Sequence, residues 1–185
     1  MAKRKPDQAP DADLIVVGAG GCGLTGALRA AQDGLRVIIL ESGSEPGGST
    51  AMSSGLIVAA GSRLQAEHGE VGTAAELAAD VLRRNGHSSN PEVTHALCAA
   101  SGAVMDWLVD AGVDLEHLTN YRYEGMNRAW LHAPPSRHGI DFVRPLTTAN
   151  ARQATVDLRL GTPVTGLVSA GSRVVGVTAV TDGVE

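Results

Sequence analysis

Aromatic side chains, lysine and cysteine are all scarce in this chain of 185 residues. Aromatic residues make up 3% of the chain, the lysines are Lys3 and Lys5 alone, and the net charge is −5. Because a nucleic-acid-binding surface is basic, we expect no nucleic-acid partner. Cys22 and Cys98 have no metal-ligand spacing and need not pair, so neither a metal site nor a disulfide is predicted.

Long apolar runs are scarce as well. The run Leu14–Val17 near the N-terminus ends in glycine, and it is too short for a signal peptide or a membrane span. We therefore expect a cytoplasmic protein with no membrane partner. Residues 1–12 are polar and are predicted to form a disordered tail, whereas a composition of 43% hydrophobic and 19% charged residues predicts that residues 13–185 are globular.

Glycine, by contrast, is abundant, with 23 residues, and it separates a strand, a helix and a second strand at the start of the chain. Asp13–Val17 and Leu35–Leu40 are short apolar runs typical of buried parallel strands. Gly21–Asp33 carries apolar residues at helical spacing, and Gly34 ends it. The sequence therefore predicts an α/β fold that begins with a right-handed βαβ unit.

The rest of the chain predicts further helices and strands. Helices are expected over Thr73–Arg84, where Thr73 and Glu76 have capping-box spacing, over Asn90–Gly112, and more weakly over Ile140–Ala154. Short strands are expected over Leu56–Ala60, Val156–Leu160, Pro163–Ser169 and Arg173–Val180. Ser42–Gly55 is predicted to be a loop, and Tyr121–Gly139 to be irregular. The strand Val156–Leu160 is expected to join the first two in one parallel sheet, with the last two strands in a β-meander.

The segment Gly18–Gly23 matches G-x-G-x-x-G after a strand and at the start of a helix, which is the context this motif requires. Gly18 permits a tight turn, Gly20 lets the backbone approach a diphosphate, and Gly23 lets the helix and strand pack closely. The N–H groups and the positive dipole end at the helix start attract a diphosphate. The remaining residues of this predicted dinucleotide site are Ala19, Gly21 and Cys22.

Glu41 ends the second strand and is placed to accept hydrogen bonds from an adenosine ribose. A carboxylate there disfavours a 2′-phosphate, which argues against NADP. Gly47 and Gly48 follow shortly, and this glycine pair lets the chain approach the cofactor a second time. A flavin dinucleotide is longer than NAD and needs such a second approach, so FAD is favoured over NAD.

Residues 13 to about 61 resemble the FAD-binding segment of the fumarate reductase / succinate dehydrogenase flavoprotein superfamily, which includes soluble fumarate reductases and 3-ketosteroid dehydrogenases. The residues that carry the resemblance are the GxGxxG turn, the strand ending in Glu41, and Gly47–Thr50 with Ser53–Gly55 at the family's spacing. Asp106–Leu108 with Ala111–Val113, and scattered positions between Thr162 and Val177, extend the similarity more weakly.

The resemblance implies an α/β, Rossmann-like FAD-binding domain of three layers, with a parallel sheet and a β-meander. It implies that this domain, residues 13–185, is incomplete, because the family's substrate cap and C-terminal part have no counterpart here. The resemblance implies that Cys22 in the turn Gly18–Gly23 lies at the diphosphate, that Glu41 holds the ribose and that the Val164 backbone meets the adenine. Ser49 and Thr50 are expected at the diphosphate and flavin side, and Ser54 and Gly55 near the isoalloxazine. Ser42, Gly47 and Gly48 complete the residues expected to contact FAD. No histidine lies between Glu41 and Ala60, so the FAD is expected to be non-covalent.

By the same resemblance we expect an FAD-dependent oxidoreductase that transfers a hydride between the flavin and an activated C–C bond of a fumarate-like acid or a ketosteroid-like molecule. Its catalytic residues are expected in the absent parts. Two alternatives stay open: a truncated FAD-binding module without activity of its own, and an NAD-dependent dehydrogenase. A complementing chain or a homo-oligomer is also left open. His132, His138 and Arg128 are candidates for binding a substrate carboxylate, although a solvated loop is the favoured interpretation of their segment.

Overall fold

A computed structural model describes residues 11–180, and most of the predicted tail lies outside these residues. The described residues form two compact units, one from residues 11–48 and 146–180 and the other from residues 49–145. Within this range no helix combines the length and the apolar character needed to cross a bilayer.

The secondary-structure elements are numbered in chain order. They are β1 (Leu14–Val17), α1 (Gly21–Gln32), β2 (Val37–Leu40), α2 (Gly48–Met52), β3 (Ile57–Val58), α3 (Arg63–Glu67), α4 (Ala74–Arg84), α5 (Pro91–Asp110), β4 (Glu116–His117), β5 (Leu131–Ala133), α6 (Ile140–Ala151), β6 (Val156–Arg159), β7 (Val164–Ala170) and β8 (Arg173–Ala179).

The first unit is built on a parallel sheet in the order β1-β2-β6, which confirms the three strands predicted for it. All four residues of β2 are buried, because this strand is central and is covered on both faces. The crossover helix α1 buries Leu24, Ala27 and Leu28 along one side. Asn150 near the end of α6 donates a hydrogen bond from Nδ2 to the Leu24 carbonyl, 2.9 Å away, and so joins α6 to α1.

The sequence predicted a β-meander in this region. Within residues 11–180 the region forms a two-stranded antiparallel hairpin, β7–β8. Gly171 makes the turn with a φ of 63°, a left-handed conformation that glycine adopts without strain. Leu167 and Val174 are exposed on this hairpin.

The second unit combines α2 to α5 with a short antiparallel sheet in the order β3-β5-β4. The predicted caps are confirmed. Thr73 and Glu76 form a reciprocal capping box at α4, and the Asn90 side chain caps α5 with Pro91 in the first turn. A buried cluster of side chains from α4, α5 and the loop before β5 forms the core, with Leu77, Cys98 and Trp130 among its members.

A buried carboxylate on α4 binds the loop before β5. Asp80 is inaccessible to solvent and accepts hydrogen bonds from the Trp130 indole, the Asn127 amide groups and Arg83. Burial by itself would raise the pKa of Asp80, but these hydrogen bonds outweigh it and hold the pKa below its ordinary value. The charge is therefore kept inside the unit by a full set of donors.

The structure corrects the sequence-based prediction in four segments. Gly48–Met52 is a short helix where a loop was predicted, and Leu131–Ala133 is a buried strand inside a segment predicted to be irregular. The helix α3 and the strand β4 were not predicted. Each of these elements is five residues or shorter, so none is long enough to display a period, and pairing or capping by distant residues determines it.

Candidate functional site

The first glycine turn lies between β1 and α1. Gly18 has a φ of 96°. Its N–H donates to the Leu40 carbonyl at 2.8 Å, so the turn after β1 lies beside the C-terminal end of β2. A side chain at position 23 would overlap the Gly18 carbonyl oxygen and press on Val16. Gly23 is therefore required for the close helix–strand contact, as its place in the motif predicted.

The start of α1 is open to an anion. Gly20 is the N-cap and supplies no side-chain acceptor, and the first turn has no acidic residue. The first N–H groups of a helix have no intrahelical partners, and they carry the positive end of the dipole. Cys22 in this turn is an exposed free thiol beside these groups. The predicted diphosphate position thus has the donor chemistry that a diphosphate requires.

Glu41 connects the turn to the loop after β2. Its Oε2 accepts from the Ala19 N–H at 2.7 Å, and its Oε1 accepts from the Gly43 N–H at 2.8 Å and more distantly from the Ser42 hydroxyl. These bonds, that from Gly43 first and that from Ala19 next, hold the pKa of Glu41 below its ordinary value. A carboxylate has about four acceptor positions, so acceptor capacity remains for ribose hydroxyls.

The second glycine pair lies directly against the first turn. The Gly47 N–H donates to the Ala19 carbonyl at 3.0 Å, and Gly20 and Gly47 form an isolated parallel bridge. Gly48 has a φ of 53° and faces the Gly20 backbone with no side chain between them. Two backbone segments without side chains therefore lie together, which gives a dinucleotide close access to main-chain groups.

The start of β7 reaches the same region of the first unit. Gly161 N–H donates to the Gly43 carbonyl and Thr162 N–H to the Glu41 carbonyl, both at 2.8 Å. Val164 follows two residues later and is half-buried. The predicted adenine-contacting residue is thus two positions along the chain from a residue that is hydrogen-bonded to Glu41.

The other predicted site residues belong to the second unit. Ser49 and Ser54 are exposed and Thr50 is half-buried, whereas Gly55 is buried with a φ of 66°. Ser53 was not among the cofactor-binding residues predicted from the sequence, although it makes more hydrogen bonds here than its neighbour Ser54. The only signal for Ser53 was its place directly before Ser54 and Gly55 in the motif.

The three candidates for binding a substrate carboxylate lie in different environments. Arg128 pairs with Glu76 at 2.9 Å and with Glu70 at 3.7 Å, and His138 is exposed, in keeping with a solvated segment. For His132 both interpretations are wrong, because it is fully buried in β5 with Nε2 2.7 Å from the Ser62 hydroxyl. Burial, and then the neighbouring His117, lowers the pKa of His132 to about 4.

The geometry of the first unit suits a dinucleotide in three respects. The N-cap Gly20 places no side chain at the helix start, Gly20 and Gly47 bring two backbone segments together without side chains, and Glu41 keeps free acceptor positions. Among residues 11–180, no group of histidine, cysteine or acidic side chains is arranged to hold a metal ion.

Known proteins match the chain over nearly its whole length. A family model for an FAD binding domain matches residues 13–185. The NADH:fumarate oxidoreductase of Klebsiella pneumoniae (strain 342) is 30% identical over 179 residues, which cover 95% of this chain and 19% of that protein. A flavocytochrome c3 fumarate reductase in its open conformation matches with a TM-score of 0.84 and 26% identity, over 92% of this chain and 31% of that one.

A 3-ketosteroid-Δ4-(5α)-dehydrogenase from Rhodococcus jostii RHA1 shares the fold, with a TM-score of 0.79 and 23% identity over 96% of this chain and 44% of that chain. The chain spans less than half the length of each of these proteins. Its cofactor is FAD, and the chain belongs to the FAD-binding domain family of the fumarate reductases and 3-ketosteroid dehydrogenases.

Proposed function

We propose that the chain is the FAD-binding portion of an oxidoreductase that transfers a hydride between flavin and an activated C–C bond of a small molecule. The observation that carries this proposal is the Glu41 carboxylate bound to the Ala19 N–H, with Gly47 hydrogen-bonded to the carbonyl of the same residue. One acid and two glycine segments are thereby assembled around the start of α1. Such an arrangement suits the adenosine diphosphate half of FAD.

Each cofactor contact has a proposed residue. The N–H groups at the start of α1 bind the diphosphate, with Cys22 as a small neighbour. Glu41 and Ser42 accept and donate at the ribose, and the Val164 backbone meets the adenine. Family similarity, residue by residue, assigns Ser49 and Thr50 to the diphosphate and flavin side and Ser54 and Gly55 to the isoalloxazine. When bound, the flavin supplies the redox chemistry, and these residues hold and orient it.

The proposed substrate is a molecule with a carbon–carbon double bond conjugated to a carbonyl or carboxyl group, or its saturated product. The matched relatives support this class, since they are named for fumarate and for 3-ketosteroids. We propose non-covalent FAD because no histidine occurs between Glu41 and Ala60. An FAD-binding module that needs further polypeptide for turnover is the second candidate, and the short share of each relative that the chain spans favours it.

The purified protein, passed through a desalting column, tests the proposal by its visible spectrum before and after acid denaturation. A yellow protein that releases FAD into the supernatant is the expected result. A colourless protein that takes up no added FAD would contradict it. Anaerobic reduction of the bound flavin, followed by addition of fumarate or a 3-ketosteroid enone, then separates the two candidates, because only an enzyme reoxidises its flavin with one of them.

A further inference from the structure

We propose that Ser53 is a positioning residue for the flavin, acting through the turn Thr50–Gly55 that it holds together. This inference rests on the proposed function, which assigns Thr50, Ser54 and Gly55 to the flavin side of the cofactor. Ser53 itself touches none of the reacting atoms in this assignment. Its contribution is to the shape of the segment that does.

The Ser53 hydroxyl makes a hydrogen bond in each direction along its own turn. Its Oγ donates to the Thr50 carbonyl at 2.8 Å and accepts from the Gly55 N–H at 3.1 Å. The Ser53 N–H also donates to the Thr50 carbonyl, at 3.2 Å. Ser53 is exposed and these bonds join groups of one turn, so we expect them to set the conformation of the turn more than the stability of the unit.

A second loop of the same unit presses this turn into place. The Gly139 N–H donates to the Ser53 carbonyl at 2.7 Å. A side chain at position 139 would overlap the Thr50 carbonyl oxygen and lie 2.6 Å from the Ser53 Oγ. A side chain at Gly55 would lie 2.9 Å from Cδ of Pro134. Both contacts therefore require glycine, and the turn has little freedom to shift.

The hydrogen bonds of Ser53 also determine which main-chain N–H groups of the turn are available to a ligand. The Gly55 N–H is already bound by the Ser53 hydroxyl. Loss of that hydroxyl would release an N–H donor next to the isoalloxazine position and loosen Thr50 and Ser54 together. Hydrogen bonds and charge near the flavin ring tune its electronic properties, so both affinity and redox behaviour depend on Ser53.

The variant Ser53→Ala is expected to bind FAD about fivefold more weakly than the wild type, as the loss of one hydrogen bond predicts. The flavin that still binds is expected to show an altered visible band shape and a shifted midpoint potential. Ser53→Thr keeps the hydroxyl and is expected to restore all three properties. FAD titration by fluorescence quenching and a spectroelectrochemical titration measure them.

Ser89→Ala is the matched control, because the Ser89 hydroxyl also makes two hydrogen bonds, to Asn85 and Thr94, in the same unit. It is expected to leave FAD affinity and midpoint potential unchanged. Ser53→Ala with wild-type affinity, spectrum and potential would overturn the inference while leaving the proposed function intact, and so would an equal effect of Ser89→Ala. A wild-type protein that binds no FAD would overturn the proposed function, and this inference with it.

Discussion

At the scale of single residues, two carboxylates are held ionised by donors from distant parts of the chain. Glu41 receives backbone N–H groups from two turns, and Asp80 receives an indole, a backbone amide and a guanidinium. Both have lowered pKa values. Because an amide presents a donor at one of the two positions where the carboxylate accepts, substitution by the isosteric amide is a sharp test of each.

Glu41→Gln is expected to weaken FAD binding about tenfold or more. The amide group would face the N–H of Ala19 or Gly43 with a donor, and the charge that accepts from the ribose would be lost. FAD titration measures the effect. Glu45→Gln removes a charge from an exposed side chain in the same loop, and it should leave the affinity unchanged. Equal affinities for the two variants would exclude Glu41 from the cofactor site.

Asp80→Asn is expected to lower the free energy of unfolding of the second unit by about 2 kcal/mol, because one buried donor loses its acceptor. Urea unfolding followed by tryptophan fluorescence measures it, since Trp107 and Trp130 both lie in this unit. Asp114→Asn, at an exposed position, is the control. A midpoint unchanged by Asp80→Asn would mean that the buried network contributes nothing to stability.

At the scale of the elements, the contact of α1 with the turn before it depends on the absence of a side chain at Gly23. Two of the three glycines in this helix, Gly23 and Gly26, have opposite surroundings. A side chain at Gly23 would collide with the Gly18 carbonyl oxygen, whereas a side chain at Gly26 would meet no atom within 4 Å. Replacing each of these glycines with alanine therefore distinguishes the effect of helix propensity on stability from the effect of helix–turn packing.

Gly23→Ala is expected to destabilise the first unit by about 2 kcal/mol through overpacking and to abolish FAD binding. Gly26→Ala is expected to stabilise it by about 0.5–1 kcal/mol, because alanine favours the helix and loses less backbone entropy. Far-UV circular dichroism during urea unfolding and FAD titration measure both. If Gly26→Ala lost FAD binding as Gly23→Ala does, packing against the turn would not be the reason.

At the scale of the whole molecule, stability depends on pH through a buried imidazole as well as through carboxylates. His132 has its pKa lowered from 6.5 to about 4 by burial and by His117. Since the unfolded chain takes up a proton near pH 6.5 and the folded chain does so only near 4, the stability of the second unit falls as the pH drops through this range. The lowering corresponds to about 3 kcal/mol.

His132→Gln is expected to flatten the pH dependence of unfolding over this range, whatever its effect at neutral pH. Tryptophan fluorescence in urea, at a series of pH values from 6.5 to 4, gives the slope. His138→Gln changes an exposed imidazole and should keep the wild-type slope. An unchanged slope in His132→Gln would show that other groups account for the acid sensitivity. Asp80 and Glu41, whose pKa values are lowered from 3.8 and 4.5, contribute stability that is lost as the pH falls below these ordinary values.

The sequence by itself determined the long elements and the position of the dinucleotide motif. β1, α1, β2, α4 and α5 were predictable because apolar period, glycine and caps act within a few residues of each other. The sequence also predicts Glu41 as a cofactor-binding residue, because Glu41 directly follows a strand at a regular distance from the motif.

Only the tertiary structure decided what the short segments and buried polar groups do. Leu131–Ala133 is a strand because Ile57 and His117 pair with it, and these partners lie far away in sequence. His132 is buried in the middle strand of this sheet, and its Nε2 finds a hydrogen-bond partner in Ser62, 70 positions away in sequence. Ser53 is held by a segment far away in sequence, since the Gly139 N–H donates to its carbonyl. Local patterns encode local geometry, whereas burial and hydrogen-bond partners of this kind arise when distant segments meet.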